Sequence, residues 1–288
     1  MRLLLFTLPV IATTASCNII NPDEGVPAYI KVESVSVQTF ADEGTSSSKI
    51  SEAWLYVNDN MNGAFSIPAS APVIGEGNTR ITCFAGIKNN GIGSLRLRYP
   101  FYAGFDTVVN LQPQVEIAIQ PHFEYVSGLD IDTSRDFESK SSFLNVTAKD
   151  VEMDITIDGE IVKEGNGSGH VHLDDGEDYF QLVDNSPIIF TAGNTVFLEM
   201  DYSCNNSFTV GCYGIDGPNS NKIGILTLAP TTSATTEAAW NKVYIDLGAL
   251  GLINAGTDYY KIYLEGARYE SSQPHIYLDN LKIVMFEE

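Results

Sequence analysis

The feature that constrains this chain most is a long succession of short apolar segments separated by turn residues. Residues 243–247 place apolar side chains at every second position, which is the period of a β-strand. Stretches such as NDNMNG and KNNGIG separate these segments. No segment up to Gln120 has a sustained helical period with caps at both ends. With no helices to cover a parallel sheet, the sheets must pack on one another, so we predict an all-β fold of β-sandwiches, with antiparallel sheets in the second half of the chain.

The length of 288 residues is sufficient for two medium domains. The polar stretch GLDIDTSRDFESKSS, which begins at Gly128, shows no clear period and interrupts the strand pattern. We therefore predict one sandwich over residues 28–121 and a second over residues 122–288, joined near residues 121–140.

The part of the first unit around residues 50–87 has a strand, the NDNMNG turn, a short strand, Pro68 and the turn GEGN. This order resembles the PEGA-like and immunoglobulin-like modules of bacterial surface proteins. The resemblance implies an immunoglobulin-like β-sandwich that acts as a spacer. Trp54, Tyr56 and Phe65 are then expected to pack in its core or at its edge rather than to bind a ligand.

The amino terminus has a basic residue, an apolar run over residues 3–12 and the sequence TASC ending at Cys17. It resembles the lipobox of bacterial lipoproteins, although Thr14 and Ser16 depart from the usual residues. The resemblance implies a signal peptide over residues 1–17, lipidation of Cys17 and a tether over residues 18–27. It places the protein in the cell envelope, anchored by lipid to the outer membrane and exposed at the surface. The alternative is an ordinary cleaved signal with a chance cysteine.

The last fifty residues contain AAWNKVYIDLG, DYYKIYLEGARY and HIYLDNLKIV. They resemble the closing strands of jelly-roll carbohydrate-binding modules and other galactose-binding-like sandwiches. The resemblance implies that residues 122–288 form an antiparallel jelly roll that binds glycan. Sugar faces stack on aromatic rings, whereas most rings in a sandwich pack in its core. The candidate ligand-binding rings are Trp240, Tyr179, Tyr202, Tyr213 and Tyr269.

Asp279 lies inside the apolar segment IYLDNLKIV. The resembled modules often hold a structural calcium ion at this position, so the resemblance implies that Asp279 is a calcium ligand. The alternative is a side chain that caps a β-bulge. His170 and His172 could share a transition metal, but no further ligand is evident from spacing, and a polar strand end is the alternative.

Composition excludes several functions. The chain has 37 acidic and 16 basic residues, so it cannot displace counterions from phosphates and we predict no nucleic-acid partner. It lacks a G-x-S-x-G motif, and spacing singles out no pair among its many acidic residues as the two carboxylates of a glycosidase, so we predict that it is not an enzyme. Lipidation of Cys17 would leave an odd number of cysteines, and we expect Cys83 and Cys212 to be small buried side chains.

Two hypotheses follow. The first is a surface lipoprotein whose distal jelly roll binds glycan. The second is a structural, adhesin or accessory subunit that docks onto another envelope protein. A solvent-facing ring favours sugar, whereas a broad exposed apolar patch favours a protein partner.

Overall fold

The computed structural model describes residues 25–147, 151–233, 237–253 and 256–287. The predicted signal peptide, with Cys17, and tether residues 18–24 lie outside these ranges. Within them, no helix is long and apolar enough to span a membrane. The described chain is almost entirely β-structure, with 21 strands and one six-residue helix.

Residues 28–123, which we call the first sandwich, contain ten strands. These are β1 (Ala28–Val32), β2 (Ser36–Val37), β3 (Glu52–Val57), β4 (Asn60–Ser66), β5 (Ala69–Val73), β6 (Gly77–Lys88), β7 (Arg96–Arg98), β8 (Phe105–Leu111), β9 (Glu116–Ile119) and β10 (His122–Phe123). They form a three-stranded sheet ordered β5-β1-β9, in which β1 and β9 are parallel, and a five-stranded sheet ordered β4-β3-β6-β7, in which β8 also pairs with β6. The remaining two strands, β2 and β10, form a two-stranded parallel sheet. Alternate residues such as Leu55 and Ile81 face the core between the sheets.

Residues 129–286, which we call the second sandwich, contain the remaining elements. These are β11 (Leu129–Arg135), β12 (Phe143–Asn145), β13 (Asp154–Thr156), β14 (Ser168–His172), β15 (Tyr179–Asp184), β16 (Val196–Cys204), β17 (Phe208–Asp216), β18 (Asn219–Leu228), β19 (Asn241–Asp246), helix α1 (Gly248–Ile253), β20 (Tyr259–Ala267) and β21 (His275–Phe286).

The second sandwich has two sheets. The six-stranded sheet runs β13-β14-β21-β16-β19, with β11 also paired to β21, and the five-stranded sheet runs β12-β15-β20-β17-β18. Their strand pairs are all antiparallel. Leu198, Ile262 and Leu278 lie in the core between the two sheets. The prediction of an all-β sandwich fold is confirmed.

The two sandwiches are in contact. Phe197, Tyr244 and Val284 lie on the side of the six-stranded sheet that points away from its own core, and they belong to the hydrophobic cluster of the first sandwich. We call this side of the sheet the covered face. The first sandwich therefore packs on one of the two outer surfaces of the second.

The chain between the sandwiches differs from our interpretation. Residues 129–135, which we interpreted as part of an aperiodic linker, form β11 and pair with β21. Leu129 and Ile131 pack against the first hydrophobic cluster, and Arg135 is buried beside Asp184. Phe123 and Tyr125 also pack in the first cluster. A short edge strand with only two apolar residues carries too little period to be recognised from sequence. The division at residue 121 stays a prediction.

Cys83, Cys204 and Cys212 are free thiols and are buried. Burial raises the pKa of each to about 12. They therefore behave as small apolar side chains, as expected for Cys83 and Cys212.

Candidate functional site

The other outer surface of the second sandwich belongs to the five-stranded sheet, and we call it the open face. On β20, Tyr260, Ile262 and Leu264 belong to the core. Because side chains alternate along a strand, Tyr263 and Glu265 point to the opposite side. The same alternation brings Tyr213 of β17, Tyr179 and Gln181 of β15, and Lys222 of β18 to this face.

Tyr263 forms the floor of the open face. Gly211 is paired with Tyr263 on one side and Gly224 on the other. A Cβ atom at Gly211 would lie 2.5 Å from Cε1 and Cζ of Tyr263, so the ring occupies the space where a side chain would stand. The Lys222 ammonium lies 4.7 Å from the ring centroid, and the Tyr213 ring packs against it at 5.3 Å. Tyr263 is consequently only 1% exposed, and its pKa is raised to about 12 by burial.

Glu265 organises the polar groups above this floor. Its Oε2 accepts hydrogen bonds from the Tyr179 hydroxyl at 2.6 Å, the Lys222 ammonium at 2.5 Å and the Gln181 amide at 3.2 Å. Burial acts to raise the pKa of Glu265, but the bonds from Lys222 and Tyr179 outweigh it and hold the pKa below its ordinary value. The face thus combines two solvent-accessible rings with an ionised carboxylate and fixed donors.

Two of the five predicted aromatic residues, Tyr179 and Tyr213, lie on the open face. Tyr179 is 39% exposed, and Tyr213 is half-buried. Tyr269 is 84% exposed in the loop after β20, with no ring packed beside it among the described residues.

The other two candidates are engaged within the fold. Tyr202 is buried on the core side of β16, where its ring lies edge-on to Phe208 and its hydroxyl accepts a hydrogen bond from the Asn241 amide at 2.8 Å. The Trp240 indole is half-buried, and its N–H donates to the Ile161 carbonyl at 2.9 Å. The structure therefore does not bring these two rings to the open face.

Sequence reasoning missed Tyr263, Glu265, Lys222 and Gln181. A signal was present, because Tyr263 and Glu265 alternate with Ile262 and Leu264 in YKIYLEG. Gly211 inside an apolar strand also indicates a close approach of another group. Which of the alternating residues face the core and which face outward can be determined only when the partner strands are known.

Asp279 lies at a β-bulge on the covered face. Asn280 has a left-handed φ of 52°, and its N–H donates to Asp279 Oδ1 at 2.7 Å. Asp279 Oδ2 accepts from the Ser168 hydroxyl at 2.7 Å, and burial raises the pKa of Asp279 to about 6. This is the geometry of the bulge-cap alternative. Across the described residues, no group of three or more His, Cys, Asp or Glu side chains is placed to hold a metal ion. Calcium at Asp279 stays a prediction.

The histidines of HVH meet a third histidine from β21. His170 Nε2 lies 2.9 Å from His275 Nδ1, and the His170 ring stacks on Tyr277 with centroids 4.5 Å apart. Burial and the nearby His275 and His172 lower the pKa of His170 to about 3. His170 is therefore a neutral, stacked side chain at ordinary pH.

Comparison with known proteins gives fold-level likeness only. No protein family matches the chain, and no curated protein resembles it in sequence. Among solved structures, it is similar to the CBM22-1 xylan-binding domain of Paenibacillus barcinonensis Xyn10C, with 12% identity over 54% of this chain and 93% of that one and a TM-score of 0.39. It is also similar to the family 11 carbohydrate-binding module of Clostridium thermocellum Lic26A-Cel5E, with 12% identity over 56% and 98% of the two chains and a TM-score of 0.38. A third similar structure is the enzymatically active domain of bacteriophage CBA120 tailspike protein 4, with 13% identity over 52% and 20% and a TM-score of 0.39.

Proposed function

We propose that this protein is a non-catalytic glycan-binding lipoprotein that binds its ligand on the open face. The observation that supports this most is the group around Glu265. A carboxylate already held by three donors lies between Tyr179 and Tyr213 on an exposed sheet surface. Such a surface offers ring faces for stacking and polar groups for sugar hydroxyls.

The charges in the group around Glu265 favour a neutral glycan. The Lys222 ammonium is paired with Glu265 at 2.5 Å, which leaves neither group unbalanced. The tyrosine hydroxyl and the Gln181 amide are neutral donors and acceptors. A sugar without charged substituents meets all of these groups without leaving a charge unpaired.

The anchor is the second part of the proposal. The leader before Cys17 supports lipidation, with the mature chain held at the outer membrane and exposed at the cell surface. Replacing Cys17→Ala is expected to release the protein to the soluble fraction. Retention of the variant on membranes through an alkaline wash would contradict the anchor.

The binding proposal is tested by a glycan-array screen of the chain from Val26, followed by affinity measurements on the best neutral oligosaccharide. Tyr213→Ala and Tyr179→Ala are each expected to weaken binding about tenfold, the equivalent of one lost stacking contact. Tyr269→Ala is the matched control, because that ring is exposed in the loop after β20 and has no contact with the Glu265 group among the described residues. Equal effects of all three substitutions, or binding of a protein partner in place of any glycan, would favour the docking alternative.

A further inference from the structure

A second concave surface lies between the two sandwiches, away from the open face. It is a cleft of about 380 Å³. The first sandwich lines it with Lys49, Ser51, Lys88 and residues 90–92, and the second sandwich lines it with Tyr202 and residues 226–229 and 241–244. We call it the basic cleft because three lysines line it. Domain interfaces are a common location for small-molecule sites.

The charge of the basic cleft is opposite to that of the protein. Lys49, Lys88 and Lys242 line it, and none of its lining residues is acidic, although the chain has 37 acidic and only 16 basic residues. The Lys242 ammonium lies 3.0 Å from the buried carboxylate of Glu199, so its charge is balanced within the protein. Lys49 and Lys88 therefore supply the net charge of the cleft.

These two lysines are close enough to repel each other. The pKa of Lys49 is lowered by burial and by the positive charge of Lys88. Lys49 donates to the side-chain oxygen of Asn241, a neutral partner, and no carboxylate pairs with Lys88 in the part of the chain that the structure describes. Two like charges held together without a counter-charge favour the binding of an anion.

The rest of the cleft indicates that the ligand also has a carbon skeleton and hydroxyl groups. Ile92, Leu226 and Val243 contribute apolar wall. The Tyr202 hydroxyl and the Asn241 amide lie at the same cleft. The Ser51 hydroxyl is buried there and has no hydrogen-bond partner among the described residues. An inorganic anion would leave the apolar wall and the Ser51 hydroxyl without contacts.

We propose that the basic cleft binds a small acidic saccharide, a unit of one or two sugars that carries a carboxylate or a sulfate. The volume lies at the lower end of the range for ligand pockets, roughly 300–1,000 Å³. Lysine ammonium groups act as compact point charges and can bind either a carboxylate or a sulfate. The cleft would thus recognise acidic sugars separately from the neutral glycan of the open face.

The test is calorimetric titration of the chain from Val26 with glucuronate, glucose 6-sulfate, glucose and inorganic sulfate. We expect at least one of the two acidic sugars to bind more tightly than glucose and than inorganic sulfate, and the stronger of the two identifies the oxyanion. Lys88→Gln is expected to weaken that binding about tenfold or more, because it removes a charged contact to the oxyanion. Lys222→Gln on the open face is the matched control and should leave it unchanged.

A second measurement does not depend on variants. Partial acetylation with acetic anhydride should be slowed at Lys49 and Lys88 by the acidic sugar and not by glucose, as read by mass spectrometry of peptides. The proposal is overturned if neither acidic sugar binds, if inorganic sulfate binds as tightly, or if Lys88→Gln binds like the unmodified chain. Tyr213→Ala distinguishes the two sites, because it should weaken neutral-glycan binding and leave the acidic sugar unaffected.

Discussion

The two outer surfaces of the second sandwich have the same alternation of side chains and opposite environments. On the covered face, the first sandwich excludes water from Phe197 and Glu199, and all nine residues of β16 are buried. On the open face, Tyr179 and Lys222 remain in contact with solvent. The difference shows that a strand pattern fixes which residues share a face, whereas the neighbouring domain decides whether that face is available to a ligand.

The covered face is held by a buried charge network. Glu199 Oε1 accepts hydrogen bonds from the Tyr99 and Tyr125 hydroxyls, each at 2.7 Å. The Lys282 ammonium donates to the Thr45 carbonyl at 2.8 Å and to the Tyr125 hydroxyl at 3.0 Å. Burial acts to raise the pKa of Glu199, but the charges of Lys242 and Lys282 outweigh it and keep the pKa low. These bonds join residues of both sandwiches and hold them in one orientation.

The largest expected effect comes from breaking this network. Glu199→Ala would leave two buried ammonium groups without their carboxylate, and we expect the free energy of unfolding to fall by about 3–5 kcal/mol. Glu265→Ala on the open face is the matched control, with an expected loss of about 1 kcal/mol because solvent reaches that group. Urea unfolding of both variants measures the difference. Equal losses of unfolding free energy in the two variants would mean that the buried Glu199 network stabilises the fold no more than the exposed group around Glu265 does.

The next effect concerns calcium at Asp279, in the middle of the covered face. Its raised pKa of about 6 means that stability falls as pH rises from about 4 to 6, because the folded state must then bury a charge. A cation that pairs with Asp279 would remove this cost and stabilise the fold by about 2.7 kcal/mol at a hundredfold excess over its dissociation constant.

Melting curves in millimolar calcium and in sodium chloride of matched ionic strength measure this response. Asp279→Asn should abolish it and should be more stable than the unmodified chain in chelator. If neither calcium nor chelator changes the melting temperature, Asp279 binds no calcium and only caps the β-bulge.

A smaller effect on stability is expected from the histidines on β14 and β21 of the six-stranded sheet. The pKa of His170 is lowered to about 3, whereas the unfolded chain takes up the proton near its ordinary value of 6.5. Stability is therefore unaffected above pH 6.5 and is lost as pH falls below it, by about 2 kcal/mol between pH 6.5 and 5. His170→Gln should flatten this part of the profile of unfolding free energy against pH. An unchanged slope would assign the acid sensitivity to other groups.

The smallest effect on stability belongs to the open face. Tyr213 is half-buried, so Tyr213→Ala should lower the free energy of unfolding by only about 1 kcal/mol. The same substitution is expected to weaken glycan binding about tenfold, which separates binding from folding. A large loss of stability would mean that Tyr213 belongs to the packing of the sheet and not to an accessible surface.

The sequence was sufficient to predict the sandwich architecture. Two of the rings that it indicated as ligand-binding candidates, Tyr179 and Tyr213, lie on the open face, and their role stays a prediction. It could not predict the covered face, since Glu199 and Asp201 alternate with apolar residues in VFLEMDYSC and such a pattern indicates solvent on one side. The burial of Glu199 depends on Tyr99 and Tyr125, which are 100 and 74 positions away. Pairings across such distances leave no local signal in a single chain.

The glycine beneath Tyr263 has a consequence for the divergence of this protein. A Cβ atom at Gly211 would lie 2.5 Å from the tyrosine ring and also 2.4 Å from the carbonyl oxygen of Ile223. Loss of the ring would therefore not free the position, because the backbone of the neighbouring strand still occupies the space. Among descendants of this sequence, Tyr263 can be replaced, whereas Gly211 has to be inherited unchanged.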